Sequence, residues 1–402
     1  MKPIFILFLF AALAPLSAQN RCGASDHRIM RNPDWQTTIA SQELLINEWL
    51  RNAPDRIGMR NVVKIPIVVH VVWNSNAENI SDEQIFSQIE ILNKDFRAMN
   101  VEIPTIPGVF QPLIADVEFE FFLAGIDPDG NPTTGITRRY TNNLVGIGGT
   151  SAIHYTAQGG QDAWDPEHYL NIWVAKFAGG IGGISSFPGV GLPEEDGVQV
   201  NYLQFGDINV LPPYHLGRTL THEIGHYFNL EHPWGPSITD CCENDFVNDT
   251  PETCETYISE CPTHPAVSCS MPDIFMDFMF YTNDDCMGMF TKGQKERMWA
   301  ALNLFRPGLL DNHVGGLEQP DAQPFFKIIN NPADGQLFYK VGLGNSLEGK
   351  IRLVTVSGQV IYENKSVQFG VNSIITNQFP SGVYLVVFEN MTGLQVEKVV
   401  LL

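Results

Sequence analysis

The sequence predicts an α/β domain over residues 60–310, followed by a small all-β sandwich over residues 325–402. The first prediction rests on runs of β-branched residues that alternate with long segments whose apolar residues recur at helical spacing. The second rests on short strand patterns separated by Ser-Gly turn signals. Between the two, the Gly- and Pro-containing segment 311–324 is typical of a linker.

Each element of the first domain has its own signal. Strands are predicted over 62–73, 117–123, 169–177 and 198–203, and helices over 81–99 and 217–229 and between Thr291 and Pro307. A further helical pattern over 39–50 precedes this domain. Ser81 is placed to cap the helix 81–99, and Thr291 with Gln294 forms a capping box. The Gly-rich stretch 179–188 is interpreted either as an exposed edge strand to which an extended substrate adds, or as a flexible loop.

The second domain is predicted to contain six short strands. They span 336–341, 350–356, 360–363, 373–377, 383–389 and 397–402.

The composition favours an exported protein. The chain has 402 residues, with 24 Lys and Arg against 45 Asp and Glu, and the net charge of -21 disfavours nucleic acid and anionic membranes as partners. Lys2 and the apolar run 4–13 predict a signal peptide over 1–18. No later segment is apolar and long enough for a transmembrane helix. We also expect the protein to be a monomer.

The cysteines fall into two groups. Six of the seven lie between residues 241 and 286, which indicates disulfides in an oxidising compartment. A structural zinc cluster is the alternative, although no Cys-x-x-Cys pair is present. The seventh, Cys22, stands alone near the N-terminus, which suggests a thiol with a separate role.

Residues 222–232 contain three histidines and a glutamate at the spacing of a zinc site. His222 and His226 are one helical turn apart, so both rings leave the same face. His232 comes too late to stay on that face, so the helix has to end and the chain has to turn back. Asn229 stands where the turn begins, and Asn tolerates positive φ best after Gly.

Three imidazoles leave one position of a tetrahedral zinc open, which is typical of a catalytic site. Zinc lowers the pKa of water there, and Glu223 is placed to accept the water's proton and return it to the leaving amine. The residues therefore predict a secreted zinc endopeptidase acting on proteins or peptides. Two alternatives are a non-catalytic surface adhesion or scavenging protein with a structural zinc, and a zinc amidase acting on cell-wall peptides.

The motif resembles the long zinc signature of the metzincin peptidases, from which the chain departs at Asn229, where that signature has Gly. Residues 275–281 resemble the methionine turn of metzincins, with Met279 as the methionine. Ordinary core packing is the alternative role for Met279. Tyr281 matches a tyrosine that some of these families place near the zinc, where it steadies the oxyanion.

Within the metzincins, the chain most resembles the pappalysin family, on the stretches 162–166, 170–174, 245–251 and 286–291. The resemblance implies an upper subdomain with a mixed, twisted sheet and the active-site helix, and a lower, irregular subdomain after His232. It also implies the disulfides Cys242–Cys269 and Cys261–Cys286, and we pair the remaining Cys241 with Cys254.

The same resemblance implies a structural calcium site. Asp245, Asp249 and Thr250 match a calcium-binding loop of relatives, and oxygen ligands suit such a hard cation. Turn capping by the Asp side chains is the alternative.

The resemblance extends to latency and specificity. Around Cys22 the sequence resembles a cysteine switch, whose thiolate occupies the position that water needs, so that residues 19–59 are a propeptide. An unpaired thiol or an intermolecular disulfide is the alternative. Relatives favour a basic residue after the scissile bond, so self-cleavage before Arg60 is a hypothesis. Asp285 matches the carboxylate of the pocket for Arg or Lys, with Asp284 as the alternative, although either could cap a helix.

The C-terminal domain resembles the sorting domain of type IX secretion substrates, on the stretches 331–334, 356–359, 380–384 and 398–402. This implies type IX secretion machinery as a partner and export across an outer membrane, with the domain removed or used as a surface anchor. A carbohydrate- or protein-binding sandwich is the alternative.

Overall fold

The computed structural model describes residues 22–24, 34–52, 62–236, 243–310, 326–328, 330–341, 349–365, 367, 370–390 and 393–402. The chain divides into two compact units, Met1–Gly316 and Leu317–Leu402. The expected signal peptide, the cleavage site before Arg60, the linker 311–324, Cys241 and Cys242 lie outside the described residues.

The described helices and strands of the first unit follow the predicted order. The helices are α1 (Trp35–Asn52), α2 (Asp82–Phe96), α3 (Arg218–Tyr227) and α4 (Lys292–Phe305). The strands are β1 (Val63–Trp73), β2 (Phe119–Leu123), β3 (Ile136–Tyr140), β4 (Leu170–Ala175), β5 (Gly183–Ser185) and β6 (Val198–Asn201).

These six strands form the predicted mixed sheet. Its order is β2-β1-β4-β6-β5, with β3 also paired to β1. All pairs are parallel except β5 with β6. The central strand β1 is a nearly continuous apolar run that is buried from Ile65 to Val72, as is typical of a strand covered on both faces. Helix α3 packs on β5 and β6, which places the histidine motif beside the antiparallel edge of the sheet.

The helix ends follow the predicted capping. The Ser81 side chain accepts a hydrogen bond from Gln84 N at 3.2 Å, and Thr291 with Gln294 completes the capping box of α4. Two strands of this unit had no clear signal. The strand β3 is polar and only half-buried because it pairs only with β1, and β5 is three residues long. Within the Gly-rich stretch, β5 is the edge strand of the sheet, and the addition of a substrate to it stays a prediction.

The segment after the histidine motif is irregular and contains disulfides. Cys261 and Cys286 form the disulfide that the family resemblance implies. Cys254 and Cys269 are also disulfide-bonded, and because Cys241 and Cys242 are not described, the remaining pairings stay predictions.

The second unit is the predicted sandwich of antiparallel strands. Its described strands are β7 (Phe326–Ile328), β8 (Gln336–Val341), β9 (Gly349–Thr355), β10 (Val360–Asn364), β11 (Gly370–Ile375), β12 (Gly382–Asn390) and β13 (Gly393–Leu401). They form two sheets, β10-β9-β12-β13 and β11-β8-β7. Leu337, Ile351, Leu353 and Val386 are fully buried in a core of their own. Within the described part of the chain, no helix combines the length and hydropathy needed to cross a membrane.

Candidate active site

The three histidines of the motif converge on one point. The Nε2 atoms of His222 and His226 are 3.1 Å apart, those of His226 and His232 are 3.1 Å apart, and those of His222 and His232 are 3.3 Å apart. Zinc–nitrogen bonds of about 2.0–2.1 Å at tetrahedral angles place two ligand nitrogens about 3.3 Å apart. All three rings are fully buried, and the geometry therefore fits one zinc ion held by three imidazoles.

The turn after α3 brings His232 back to the helix. Asn229 has a φ of 68°, and Leu230 N donates to Gly225 O at 2.9 Å, as in a left-handed helix end. The Nδ1 atoms of His226 and His222 lie 2.7 Å from Leu230 O and 2.7 Å from Phe278 O, respectively. These carbonyls accept the Nδ1 protons, which directs the lone pair of each Nε2 toward the metal position.

Met279 packs against Gly225, which lies between His222 and His226 in α3. It is fully buried, and a Cβ built on Gly225 would lie 2.4 Å from its Sδ, so α3 needs a glycine there. Met279 N donates to Asp277 Oδ1 at 2.7 Å, and Gln294 Nε2 donates to the same oxygen at 3.0 Å. The sequence analysis did not single out Asp277, although it is the one carboxylate in an otherwise apolar stretch.

Glu223 is fully buried beside the metal position. A Cβ built on Gly183 would lie 2.6 Å from Glu223 Cγ, so this glycine lets the edge strand β5 approach the carboxylate. The ring of Tyr281 is centred 5.7 Å from the His222 ring and 4.9 Å from the His232 ring. Tyr281 therefore lies beside two of the three histidine rings.

Cys22 reaches the same point from the N-terminal segment. Its Sγ and one ring nitrogen of each of His222, His226 and His232 all lie within 4.8 Å of one another. Among the described cysteines it carries a free thiol, 3.7 Å from Glu223 Oε2. Burial, and then the Glu223 carboxylate, raise the pKa of this thiol, and a divalent cation would oppose both effects.

The residues around Cys22 lie along the edge strand. Gly23 N donates to Gly183 O at 3.0 Å, and Cys22 pairs with Gly183 as a parallel β-bridge. Tyr281 Oη donates to Cys22 O at 3.5 Å. The N-terminal segment thus occupies the edge where an extended substrate would add.

Comparisons with known proteins agree with this site. A peptidase family described as pregnancy-associated plasma protein-A matches residues 155–303. An extracellular metalloprotease of Verticillium alfalfae is 30% identical over 256 residues, which cover 59% of this chain and 77% of that protein. The chain belongs to the pappalysin family.

Two solved structures are similar over a larger share of the chain. A promirolysin mutant of Tannerella forsythia has a TM-score of 0.66 and 36% identity, covering 74% of this chain and 98% of that one. Mature mirolysin in complex with a cleaved peptide has a TM-score of 0.60 and 39% identity, covering 63% of this chain and 97% of that one.

The second unit has a separate match. A secretion system C-terminal sorting domain covers residues 327–402. This pappalysin is therefore a metalloendopeptidase with a secretion sorting domain, and the predictions of a secreted enzyme are confirmed. The non-catalytic alternative is set aside by the family.

The expected calcium residues lie near Asp277 and the start of α4. Thr250 Oγ1 donates to Asp245 Oδ2 at 2.6 Å, and Asp249 accepts from Thr291 Oγ1 at 2.7 Å and Gly293 N at 2.9 Å. Burial raises the pKa of Asp245 to about 7 and that of Asp277 to about 8, and Asp245 and Asp249 also raise the latter. A bound cation would relieve this accumulation of carboxylates.

Asp285 and Asp284, the two candidates for the specificity pocket, have different surroundings. Asp284 is fully buried, and its Oδ2 accepts from Leu216 N at 2.7 Å and Arg218 N at 3.4 Å at the start of α3. Asp284 therefore caps the active-site helix. The Asp285 side chain is 58% exposed, and its Oδ1 lies 3.9 Å from His215 Nε2, so it is the one available to a substrate.

Proposed function

We propose that this pappalysin is a zinc endopeptidase in which His222, His226 and His232 hold the metal and Glu223 is the general base. The observation that carries the proposal is the convergence of three Nε2 atoms at separations of 3.1–3.3 Å. Backbone carbonyls hold the His222 and His226 rings in this orientation. Zinc, when bound, supplies a Lewis acid that lowers the pKa of water and polarises the scissile carbonyl.

Two side chains beside the metal position have separate roles: one transfers the proton and the other stabilises the oxyanion. Glu223 accepts the proton of the attacking water and returns it to the leaving nitrogen, and its burial keeps bulk water from competing. The Tyr281 hydroxyl donates to the oxyanion that develops at the scissile carbonyl. Once the N-terminal segment has left, strand β5 provides the edge on which an extended substrate is aligned.

Latency is proposed to come from Cys22. Its thiolate would occupy the fourth ligand position, and Gly23 would take the edge-strand bond that a substrate needs. Residues 19–59 would then be the propeptide and 1–18 the signal peptide, with cleavage before Arg60 releasing a catalytic domain over 60–310. N-terminal sequencing of the mature enzyme tests the boundary, and a start far from residue 60 would contradict self-processing.

Specificity for Arg or Lys after the scissile bond is proposed to come from Asp285. Its exposure leaves the carboxylate free to pair with a basic side chain, whereas Asp284 is committed to the cap of α3. Calcium is proposed near Asp245, Asp249 and Thr250, where buried carboxylates would otherwise bind protons. The sorting domain over 325–402 is proposed to engage type IX secretion machinery and to be removed or to anchor a monomeric enzyme at the cell surface.

A casein assay tests the catalytic assignment. We expect the propeptide-free enzyme to cleave casein, to stop on chelation and to recover with zinc. Glu223→Ala should retain one zinc per chain and cleave nothing, whereas Glu83→Ala, an exposed residue at the start of α2, should behave as wild type. Undiminished cleavage by Glu223→Ala would overturn the assignment of the general base.

A further inference from the structure

The N-terminal segment contacts the catalytic unit at a second place, through α1. This helix packs against α4, and two adjacent residues of α1 face the turn that follows α3. Asn229 Nδ2 donates to Gln42 Oε1 at 3.1 Å, and Gln42 Nε2 donates to Pro188 O at 2.7 Å. Arg297 donates to the carboxylate of Glu43.

Arg297 is a buried charge whose carboxylate partner comes from α1. Its side chain is 3% exposed, and within the described residues its one ion pair is with Glu43. Its Nε also donates to Asn229 O at 2.7 Å, and its Nη2 donates to Asn229 Oδ1. Because an unpaired buried charge is costly, Glu43 stabilises the contact between α1 and Arg297 more than an exposed ion pair would.

The Asn229 side chain links the ligand turn to α1. Glycine would adopt the φ of 68° more readily, but it could make neither side-chain bond. The amide of Asn229 accepts from Arg297 and donates to Gln42 at the same time. The side chain therefore connects α1 to the residue that turns the chain toward His232.

We propose that Asn229 and Arg297 form a docking site for α1, which holds the N-terminal segment on the enzyme independently of Cys22. Two attachments on one segment reinforce each other, since release of one leaves the other at high local concentration. A single cut after α1 would leave the segment bound. That the bound segment also keeps the enzyme inactive rests on the proposed latency through Cys22.

Hydrogen exchange on the full chain tests the docking site. Chelation with 1,10-phenanthroline, which binds zinc but has little affinity for calcium, prevents self-cleavage and removes any bond between Cys22 and zinc, so protection of residues 35–52 then reports α1 docking alone. We expect amides of α1 to be protected in wild type and to exchange about tenfold or more faster in Gln42→Ala/Glu43→Gln, because a hydrogen bond to a charged group is lost. Amides of α2 serve as the internal reference.

Two further variants sharpen the test. Asn229→Gly preserves the turn and should also accelerate exchange of α1, whereas Glu48→Gln, an exposed glutamate on the same helix, should leave it unchanged. Wild-type α1 exchanging at the unprotected rate, or equal protection in Asn229→Gly and wild type, would overturn the proposal. If instead the zinc-loaded Cys22→Ala chain stays latent while these exchange differences persist, the proposed cysteine latency fails and the docking site stands.

Discussion

The contact between Gly225 and Met279 links the active-site helix to the methionine turn, and Gly225→Ala tests that link. The added Cβ would lie 2.4 Å from Met279 Sδ, 3.2 Å from Met279 Cε and 3.4 Å from Leu230 Cδ1. The first of these contacts is far too short to persist. Since both residues are buried, the Met279 side chain, the methionine turn or the helix has to shift.

The size of the effect follows from two opposing contributions. Replacing glycine by alanine within a helix stabilises the folded state by about 1 kcal/mol. Overpacking a rigid core costs about 1–3 kcal/mol. We therefore expect the free energy of unfolding to fall by about 0–2 kcal/mol. Because the Phe278 carbonyl that orients His222 belongs to the same turn, zinc affinity should fall by about 10–100-fold.

Urea unfolding and competition for zinc with a chromophoric chelator measure the two effects. Gly108→Ala is the matched control, since a Cβ there would meet no atom within 4 Å. Adding Met279→Ala to Gly225→Ala should recover part of the lost zinc affinity by removing the clash. The reasoning is refuted if Gly225→Ala raises the free energy of unfolding by about 1 kcal/mol, the helix contribution alone, with zinc affinity unchanged.

Three further predictions concern latency, specificity and pH. The intact Cys22→Ala chain should cleave casein at least roughly a hundredfold faster than the intact wild-type chain, and equal latency by the same assay would contradict the switch. In Asp285→Ala, kcat/KM for peptides with Arg after the scissile bond should fall about tenfold while that for Leu peptides holds, because a charge-assisted bond is lost; equal loss on both would argue against a specificity role. The pKa values of Asp245 and Asp277, raised by burial to about 7 and about 8, make the folded state bind more protons than the unfolded chain between about pH 4 and 8. Without calcium, the free energy of unfolding should therefore fall as pH rises through that window, and calcium should make this fall smaller. Urea unfolding at pH 5 and pH 8 measures the change. A calcium-free protein that is more stable at pH 8 than at pH 5 would contradict the prediction.

The histidine site was predictable because its geometry is mostly local. The positions of His222 and His226 follow from helical spacing, and the return of His232 requires only that the chain reverse near Asn229. Likewise, a run of apolar residues predicts β1, and apolar residues at helical spacing after the capping residue Ser81 predict α2.

Features that depend on distant partners were not predictable. The polar strand β3 forms because β1 continues beyond its pairing with β2, and the three-residue β5 forms because β6 lies beside it. Asp277 holds the methionine turn by accepting hydrogen bonds from Met279 N and from Gln294, and the second of these is distant in sequence. Nothing in the sequence of α1 shows that Gln42 meets Asn229, since the two contact each other only after the chain folds.

The central claim is that three imidazoles hold one zinc ion and that Cys22 fills the remaining position until the N-terminal segment leaves. Zinc K-edge X-ray absorption on the full chain and on the propeptide-free enzyme measures both directly. We expect one zinc per chain, with three nitrogen neighbours at about 2.0–2.1 Å in both forms, and one sulfur neighbour at about 2.3 Å in the full chain that is replaced by oxygen in the mature enzyme. Fewer than three nitrogen neighbours, or a sulfur neighbour that persists after the segment is removed, would contradict the claim.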